Sequence, residues 1–551
     1  MARRRSSDAE IYFQQNHSED EMKRRRSLSV LITIGLISVV LVPMSHATAT
    51  ANGPEPPAIR ITPPAPVFDD AKRLEELAAR RKKVADTIGP KSIMILFAAE
   101  PRVYTNDVDF PFRQENNFFY LTNLNQESEI LVLMPGDADA REILFLPRRN
   151  ARAETWTGHM YTPEEAAQLS GVTEIWERSE FAPFIAALQK HEDYRPKPEN
   201  ILHTAGHPAG TNPSSVIAAA ENKEASLYLL ANFPANGDSR EYRQEQRFAA
   251  AWPKEAGFNI QNASPIFAQM RLRKSPMELE IMQHAIDISI EAHQRAQAFA
   301  SQAQWEYEVD AQVAYTFKLR NADNWGYPDI VGCGKNATTL HYEASQSRVH
   351  PGLLMLMDVG AEYGHYSADV TRTFPVNGKF TKEQGEVYQI VYDAQEAAAK
   401  VIKPGATLSQ VHNAATEVIK TGLLKLGLIT DRNSDQYRIW FMHGTSHWLG
   451  MNVHDVGGGA ILEPGMVFTN EPGIYIRPDA LDNLPKTAEN EKFIAAVKTA
   501  FEKYKGIGVR IEDDMLVTDT GTKWMTGALA RSLPDVEAFI ARARKGQNGS
   551  R

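Results

Sequence analysis

The 551-residue chain has a single cysteine, Cys333. One thiol cannot form an internal disulfide, and a Cys-based zinc site needs at least two. Basic charge is in deficit: 60 Lys+Arg against 69 Asp+Glu leave a formal net charge of −9. That balance argues against nucleic acid as the main partner, because phosphate binding needs a basic surface. Long apolar runs are also missing. The stretch 28–42 is too short for a membrane span, which takes about 20 residues. What remains is ordinary globular composition, 43% hydrophobic and 23% charged, which rules out global disorder. At roughly 100–200 residues per domain, the length suggests two to four domains.

The N-terminus differs from the rest. Arg24-Arg25-Arg26 precedes the apolar stretch, and Ser45-His46-Ala47 puts small residues at the −3 and −1 positions of a cleavage site. That is the layout of a secretory signal peptide over 1–47. Met22-Lys23-Arg24-Arg25-Arg26 forms a compact basic start, so Met22 reads as the true first residue. The alternative is an uncleaved signal anchor. Either reading exports the chain, to a periplasmic or extracellular place, and cleavage leaves no stable membrane insertion. Residues 48–68 are rich in proline (Pro54, Pro56, Pro57, Pro63, Pro64, Pro66) and read as an extended linker.

From 69 to 86 the pattern is helical, with Leu74, Leu77 and Val84 on one side. Four apolar runs, 92–97, 118–121, 130–134 and 143–146, read as buried strands. Residues 69–258 are thus expected to form an α/β domain with a mixed sheet. A long amphipathic helix over 275–301 opens a second domain, 259–541, with Pro253 and Pro265 marking the boundary region. The tail 542–551 is polar.

Chemistry concentrates in the second domain. Residues 354–374 read strand, turn, strand, with the turn at Tyr363-Gly364. That register sets Asp358 opposite Asp369, with Cβ atoms about 5 Å apart. Facing like charges destabilise a sheet, and a divalent cation is the simplest compensation; a bulge or shifted register is the other. His443, His447 and His454 crowd one short stretch beside Gly444 and Gly450. Imidazole is both metal ligand and proton carrier, but Gly444 stands where a zincin H-E-x-x-H would have glutamate. Glu471 follows an apolar strand at 466–469. Arg510, Glu512 and Asp514 alternate onto one face of a strand that continues to Val517, with Ile511 and Asp513 opposite. Two Asp, two Glu and a His form an oxygen-rich set that favours hard ions such as Mn. Four carboxylates suit two ions about 3.5–4 Å apart that share bridging ligands.

The ordered set Asp358, Asp369, His447, Glu471, Glu512 resembles the five metal ligands of the pita-bread metallopeptidases, which include methionine aminopeptidase, prolidase and aminopeptidase P. The stretches 369–380, 443–455 and 107–114 (Asp-Val-Asp-Phe-Pro-Phe-Arg-Gln) are most similar to the aminopeptidase P (Xaa-Pro aminopeptidase) family. That resemblance implies a creatinase-like N-terminal domain and an α/β catalytic domain with a curved antiparallel sheet. It implies two divalent ions, Mn2+, sharing a hydroxide. Asp369 and Glu512 would bridge, Asp358 would bind one ion, and His447 and Glu471 the other. Glu471 would double as general base. His454 and His341 would stabilise the oxyanion and hold the substrate carbonyl, and His443 would line the proline side. Arg510 and Asp107 would support the ligands from behind. The expected substrates are peptides with proline second, and the expected assembly is a homo-oligomer.

The sequence also departs from the family. Where relatives carry an Arg before a Leu-x-Pro-Gly-Met segment, this chain has Ala460. The residues after His341-Tyr342 diverge, to Glu343-Ala344-Ser345. Residues 477–505 look like a helical insertion with Phe493, Val497 and Phe501 on one face. Two other functions compete. A prolidase would cleave only Xaa-Pro dipeptides. A metal-free pita-bread peptide reader would have lost ligands, and here all five are present.

Overall fold

The computed structural model describes residues 59–204, 210–230 and 242–548. The expected signal segment 1–47, with Met22, lies outside them, as does 48–58. The later part of the proline-rich stretch is no free linker. Arg60 N–H donates to Gln294 Oε1 at 2.6 Å and the Arg60 guanidinium pairs with Asp287 at 2.6 Å. Thr62 donates through its N–H and its hydroxyl to Glu291, at 2.7 and 2.6 Å. Glu291 also holds Arg295 and Arg320, so one buried carboxylate straps the segment onto the helix Pro276–Phe299.

Asp69 caps the first helix, Asp70–Ile88, by accepting from Lys72 N–H. The strands that follow are β1 (Ser92–Phe97), a hairpin of β2 (Val103–Thr105) and β3 (Val108–Asp109), then β4 (Ile130–Leu133), β5 (Glu142–Leu146), β6 (Ile175–Glu177), β7 (Ile201–His203), β8 (Ala225–Leu229) and β9 (Phe258–Asn262). All but the hairpin form one sheet in the order β7-β6-β5-β4-β1-β8-β9. β1 pairs antiparallel with β4 and parallel with β8, so the sheet is mixed, as expected. β1 is buried along its whole length, the pattern of a strand covered on both faces.

Two expectations fail here. Residues 118–121 are not a strand; they lie in the helix Asn116–Thr122. The Glu115 carboxylate caps that helix by accepting from Phe118 N–H at 2.7 Å, and Asn123 ends it in the left-handed region. A short apolar run suits a buried strand and a buried helix equally, and the caps decide. The boundary at 258/259 also cuts a strand: β9 pairs with β8 from Ala225↔Phe258 to Leu229↔Asn262, so the N-terminal sheet extends past 258.

The second half begins at a capping box, Ser275 with Glu278, on the helix Pro276–Phe299. Its strands are β10 (Asn324–Trp325), β11 (Ile330–Cys333), β12 (Leu354–Asp358), β13 (Ala361–Tyr363), β14 (Tyr366–Ser367), β15 (Thr371–Pro375), β16 (Val467–Asn470), β17 (Gly473–Tyr475), β18 (Gly508–Arg510), β19 (Asp513–Val517) and β20 (Thr522–Trp524). They form β10-β13-β14, β11-β12-β15, β16-β19-β20 and β17-β18, antiparallel throughout. Helices Lys382–Val401 and Leu408–Leu426 bury an apolar face beneath them. The segment read as an insertion holds the helix Ala488–Tyr504, whose Phe493, Val497 and Phe501 enter that same core beside Trp440.

The hairpin register differs from expectation. Asp358 pairs with Thr371, not Asp369, and Tyr363 pairs with Tyr366. The turn is one residue later, at Gly364-His365, with φ 57° and 66°. Two consecutive positive φ values mark the primed two-residue turn that matches strand twist. Ala368 N–H donates to Ala361 C=O at 2.9 Å and Val359 N–H to Val370 C=O at 3.0 Å, so Asp369 falls opposite Gly360. A Cβ on Gly360 would sit 2.0 Å from the Ala368 carbonyl oxygen. Side chains alternate with period two, so Asp358 and Asp369 still share a face, as diagonal rather than direct neighbours.

Candidate metal centre and active site

A pocket of about 490 Å3 opens over these strands. Asp358 ends β12, and Glu471 lies between β16 and β17. Asp369 lies in the break between β14 and β15, and Glu512 in the break between β18 and β19. The expected single strand from Arg510 to Val517 is thus interrupted at Ile511-Glu512. Arg510 and Glu512 line the pocket. Asp513 turns away to a fully buried pair with Arg372, 2.6 Å long, and accepts from Gln395 at 2.7 Å.

All five expected ligands line this pocket, together with His341, His443 and His454. His447 Nε2 lies 3.2 Å from Asp369 Oδ2 and 3.5 Å from Glu471 Oε1. Asp369, His447 and Glu512 each offer a ligand atom within 4.8 Å of the others. Asp358 is turned otherwise: its Oδ1 accepts from Tyr327 O–H at 2.6 Å and its Oδ2 from Arg510. Thr371 O–H donates to Glu512 at 2.6 Å, and Thr469 O–H to Glu471 at 3.3 Å.

The donor set fits divalent cations. Burial, then the charges of Asp369, Glu471 and Asp358, hold the Glu512 carboxyl well above its usual range. Burial lifts Glu471 to about 7 and raises Asp369. Burial opposes protonation of His447, but the Asp369 hydrogen bond and the charges of Asp369 and Glu471 raise it to about 9. Each shift marks excess negative charge in a dry space, where a carboxylate needs a cation or a proton. Arg510 is the one cationic side chain on the wall besides the imidazoles. Behind the cluster, Asp514 is fully buried with Oδ1 unpartnered among the described residues.

The other histidines have distinct surroundings. His443 Nδ1 faces the Gly444 carbonyl at 2.7 Å and its Nε2 faces Tyr475 O–H at 2.8 Å. Donation by Nδ1 and acceptance by Nε2 make it a neutral ring, and burial with the nearby Arg510 charge lowers its pKa to about 4. His454 packs edge-on against His447, ring centroids 4.4 Å apart. Burial and the His447 charge lower its pKa.

Several residues of the site are not singled out by the sequence. Tyr327 and Tyr475 orient Asp358, Arg510 and His443, and Tyr475 accepts from Arg510 Nη1 at 2.9 Å. Tyr475 stands four residues after Glu471 on the next strand, a spacing that could have flagged it. The N-terminal domain grips the loop bearing His447 and His454. Arg113 Nη2 donates to Met451 C=O at 2.9 Å, Asn116 Nδ2 to Asn452 at 2.8 Å, and Arg271 pairs with Asp455. Arg113 also pairs with Glu362 on β13 at 2.8 Å.

Comparison with known proteins agrees with this geometry. Residues 280–519 match the model of metallopeptidase family M24, and 77–195 that of the aminopeptidase P N-terminal domain. The chain is 32% identical to Xaa-Pro aminopeptidase of Escherichia coli, over 86% of this chain and 98% of that one. With the Haemophilus influenzae Xaa-Pro aminopeptidase the identity is 33%, covering 85% and 97%. Among solved structures, Escherichia coli aminopeptidase P with the inhibitor Pro-Leu matches at TM-score 0.70 and 30% identity, over 87% of this chain and all of that one, 100%. Pseudomonas aeruginosa aminopeptidase PepP matches at TM-score 0.71 and 30% identity, covering 87% and 99%.

The chain belongs to metallopeptidase family M24. It is a metallo-aminopeptidase of the aminopeptidase P type, with a pita-bread catalytic domain. One family-derived expectation changes in the structure. Asp107 is not brought to the pocket. It sits exposed between β2 and β3, and among the described residues its carboxylate accepts a side-chain hydrogen bond from the adjacent Asn106, at 3.1 Å. Ala460 packs against the apolar core under the sheets and does not line the pocket.

Proposed function

We propose that this aminopeptidase is exported, holds two divalent ions, Mn2+, and releases the first residue from peptides with proline in the second position. The observation that carries the reading is the convergence of four carboxylates and an imidazole on one pocket of about 490 Å3. The names of its relatives support the substrate class, and the basic, apolar and small-residue layout of 1–47 supports export.

Bound in the pocket, two divalent ions would lower the pKa of a shared water toward hydroxide and polarise the scissile carbonyl. Asp369 and Glu512 would serve both ions. His447 and Glu471 would serve one, and Asp358, oriented by Tyr327 and Arg510, the other. Glu471, beside the attacking water, would take its proton and pass it to the leaving proline nitrogen. His454 would donate to the oxygen that becomes negative, His341 would hold the substrate carbonyl, and His443, fixed against Tyr475, would line the proline side.

The wall also bears on peptide length. A prolidase must capture the free carboxylate of its dipeptide. Here the sole Arg or Lys lining the pocket is Arg510, buried and committed to Asp358 and Tyr475. That favours longer peptides. Exposed Val103, Tyr104, Val108 and Phe110 on the surface hairpin support a homo-oligomer, since clustered surface apolar groups mark interaction sites.

The test is incubation of the purified chain with Mn2+ and an Xaa-Pro-Yaa tripeptide, with Xaa-Pro alongside, products read by mass. Release of Xaa from the tripeptide is expected. Cleavage of the dipeptide alone would replace the reading with prolidase, and no cleavage with metal bound would end it. N-terminal sequencing of the mature protein, with cell fractionation, tests export: Thr48 should be first.

A further inference from the structure

Once the ligand cluster is set aside, the charges on the pocket wall reduce to one. The wall carries five acids: Asp358, Asp369, Glu471, Glu512 and Glu343. The first four belong to the cluster, where two divalent ions would balance them, and Arg510 is spent on Asp358. Glu343 is left. It is exposed, and no hydrogen bond or ion pair holds its side chain among the described residues.

The residues on either side of it are held. Immediately before it, Tyr342 O–H donates to Glu306 at 2.8 Å. Just after it, Ser345 is buried and its hydroxyl donates to Val331 C=O at 3.3 Å, and Ser347 N–H donates to the same Glu306 carboxylate at 2.8 Å. Glu306 is itself fully buried. Both sides of the loop are thus tied to a fixed anchor. A free carboxylate on a fixed loop at the mouth of a low-dielectric pocket imposes its sign on whatever enters.

We propose that Glu343 is a specificity residue that favours peptides bearing a positive charge next to the scissile bond, on the first residue or on the one after proline, and disfavours those bearing a negative charge there. The inference rests on the Xaa-Pro cleavage proposed above and names a substrate class within it. Glu343 and His341, two residues apart, line the same wall, so with His341 on the substrate carbonyl the carboxylate faces the side chains that flank the scissile bond. Because it is exposed, each favourable pair contributes about fivefold at most. Attraction of one sign and repulsion of the other separate matched peptides by about tenfold at low salt, and screening reduces that as ionic strength rises.

The experiment uses the full chain loaded with Mn2+ and C-terminally amidated peptides, so that no terminal carboxylate intrudes. Lys-Pro-Ala is compared with Glu-Pro-Ala, and Ala-Pro-Lys with Ala-Pro-Glu, by kcat/KM. Neutral Ala-Pro-Ala tests the parent reading. The unmodified protein should prefer the cationic member of at least one pair by about tenfold at low salt. Glu343→Gln, which keeps the side chain's shape, should bring that ratio close to one, and Glu343→Lys should invert it. No charge preference, or the same ratio in Glu343→Gln, overturns the assignment while the neutral peptide is still cut. Failure to cut the neutral peptide overturns the parent reading, and this inference with it.

Discussion

Removing the charge of Arg271 should weaken both the fold and turnover. Arg271 and Asp455 form a buried pair, with side chains 3% and 0% exposed, and Arg271 Nη1 also donates to Asn117 at 2.8 Å. Asp455 directly follows His454, and its N–H donates to Trp448 C=O at 2.9 Å. The pair therefore links the first domain to the loop carrying two of the site's histidines. Arg271→Met keeps most of the bulk and strands the Asp455 carboxylate. Breaking a buried pair by deleting one partner costs about 3–5 kcal/mol. Lys274 Nζ, 3.8 Å from Asp455, offsets part of that, although burial pushes its pKa below the ordinary value. The expected cost is therefore about 3 kcal/mol. Urea unfolding of the full chain measures it, and kcat should fall more than KM rises, because His454 loses its fixed position. Asp455→Asn supplies a cycle: the double variant should cost less than the sum of the singles by about 1–3 kcal/mol. A single-variant cost below about 1 kcal/mol, or strict additivity, would refute the view that this pair holds the loop.

The remaining expectations concern the site and the hairpin. His447→Ala should abolish turnover and lower metal occupancy without unfolding the first domain; full activity would sink the ligand assignment. His454→Ala should keep the metals, measured by elemental analysis, and lose kcat, so an unchanged kcat removes its place at the oxyanion. Burial, with the nearby Arg113 charge, depresses His365 to about 3; its ring stacks on Phe119 with centroids 3.8 Å apart. The unfolded chain then takes up a proton near pH 6.5 that the folded chain refuses. Stability present above pH 6.5 should be lost as pH falls toward about 3. His365→Asn, which tolerates positive φ, should flatten that slope; an unaltered slope would show that the histidine is not its source.

Much of the chemistry is legible in the order of residues. Asp358, Asp369, His447, Glu471 and Glu512 stand out because their order resembles that of the pita-bread metallopeptidases, and the fold brings all five to one pocket. The helix start at Ser275 is legible too, since Ser followed three residues later by Glu satisfies orphan backbone donors locally. The run 118–121 is not legible, because periodicity over four apolar residues does not separate strand from helix.

Residue order therefore settles an inventory: which side chains can ligate or carry protons, and which segments start or stop by rules that act within a few residues. Their arrangement comes from folding. The hairpin register follows from the Gly364-His365 turn, Asp107 stays on a surface hairpin, and Arg113, Asn116 and Arg271 reach the His454 loop from another domain. Among the described residues, Glu343 is left uncommitted on the pocket wall because Arg510 is engaged with Asp358 and Tyr475. Most of these are contacts between segments far apart in the chain. They are selected by burial and hydrogen-bond closure in three dimensions, and neither force leaves a local trace in the sequence.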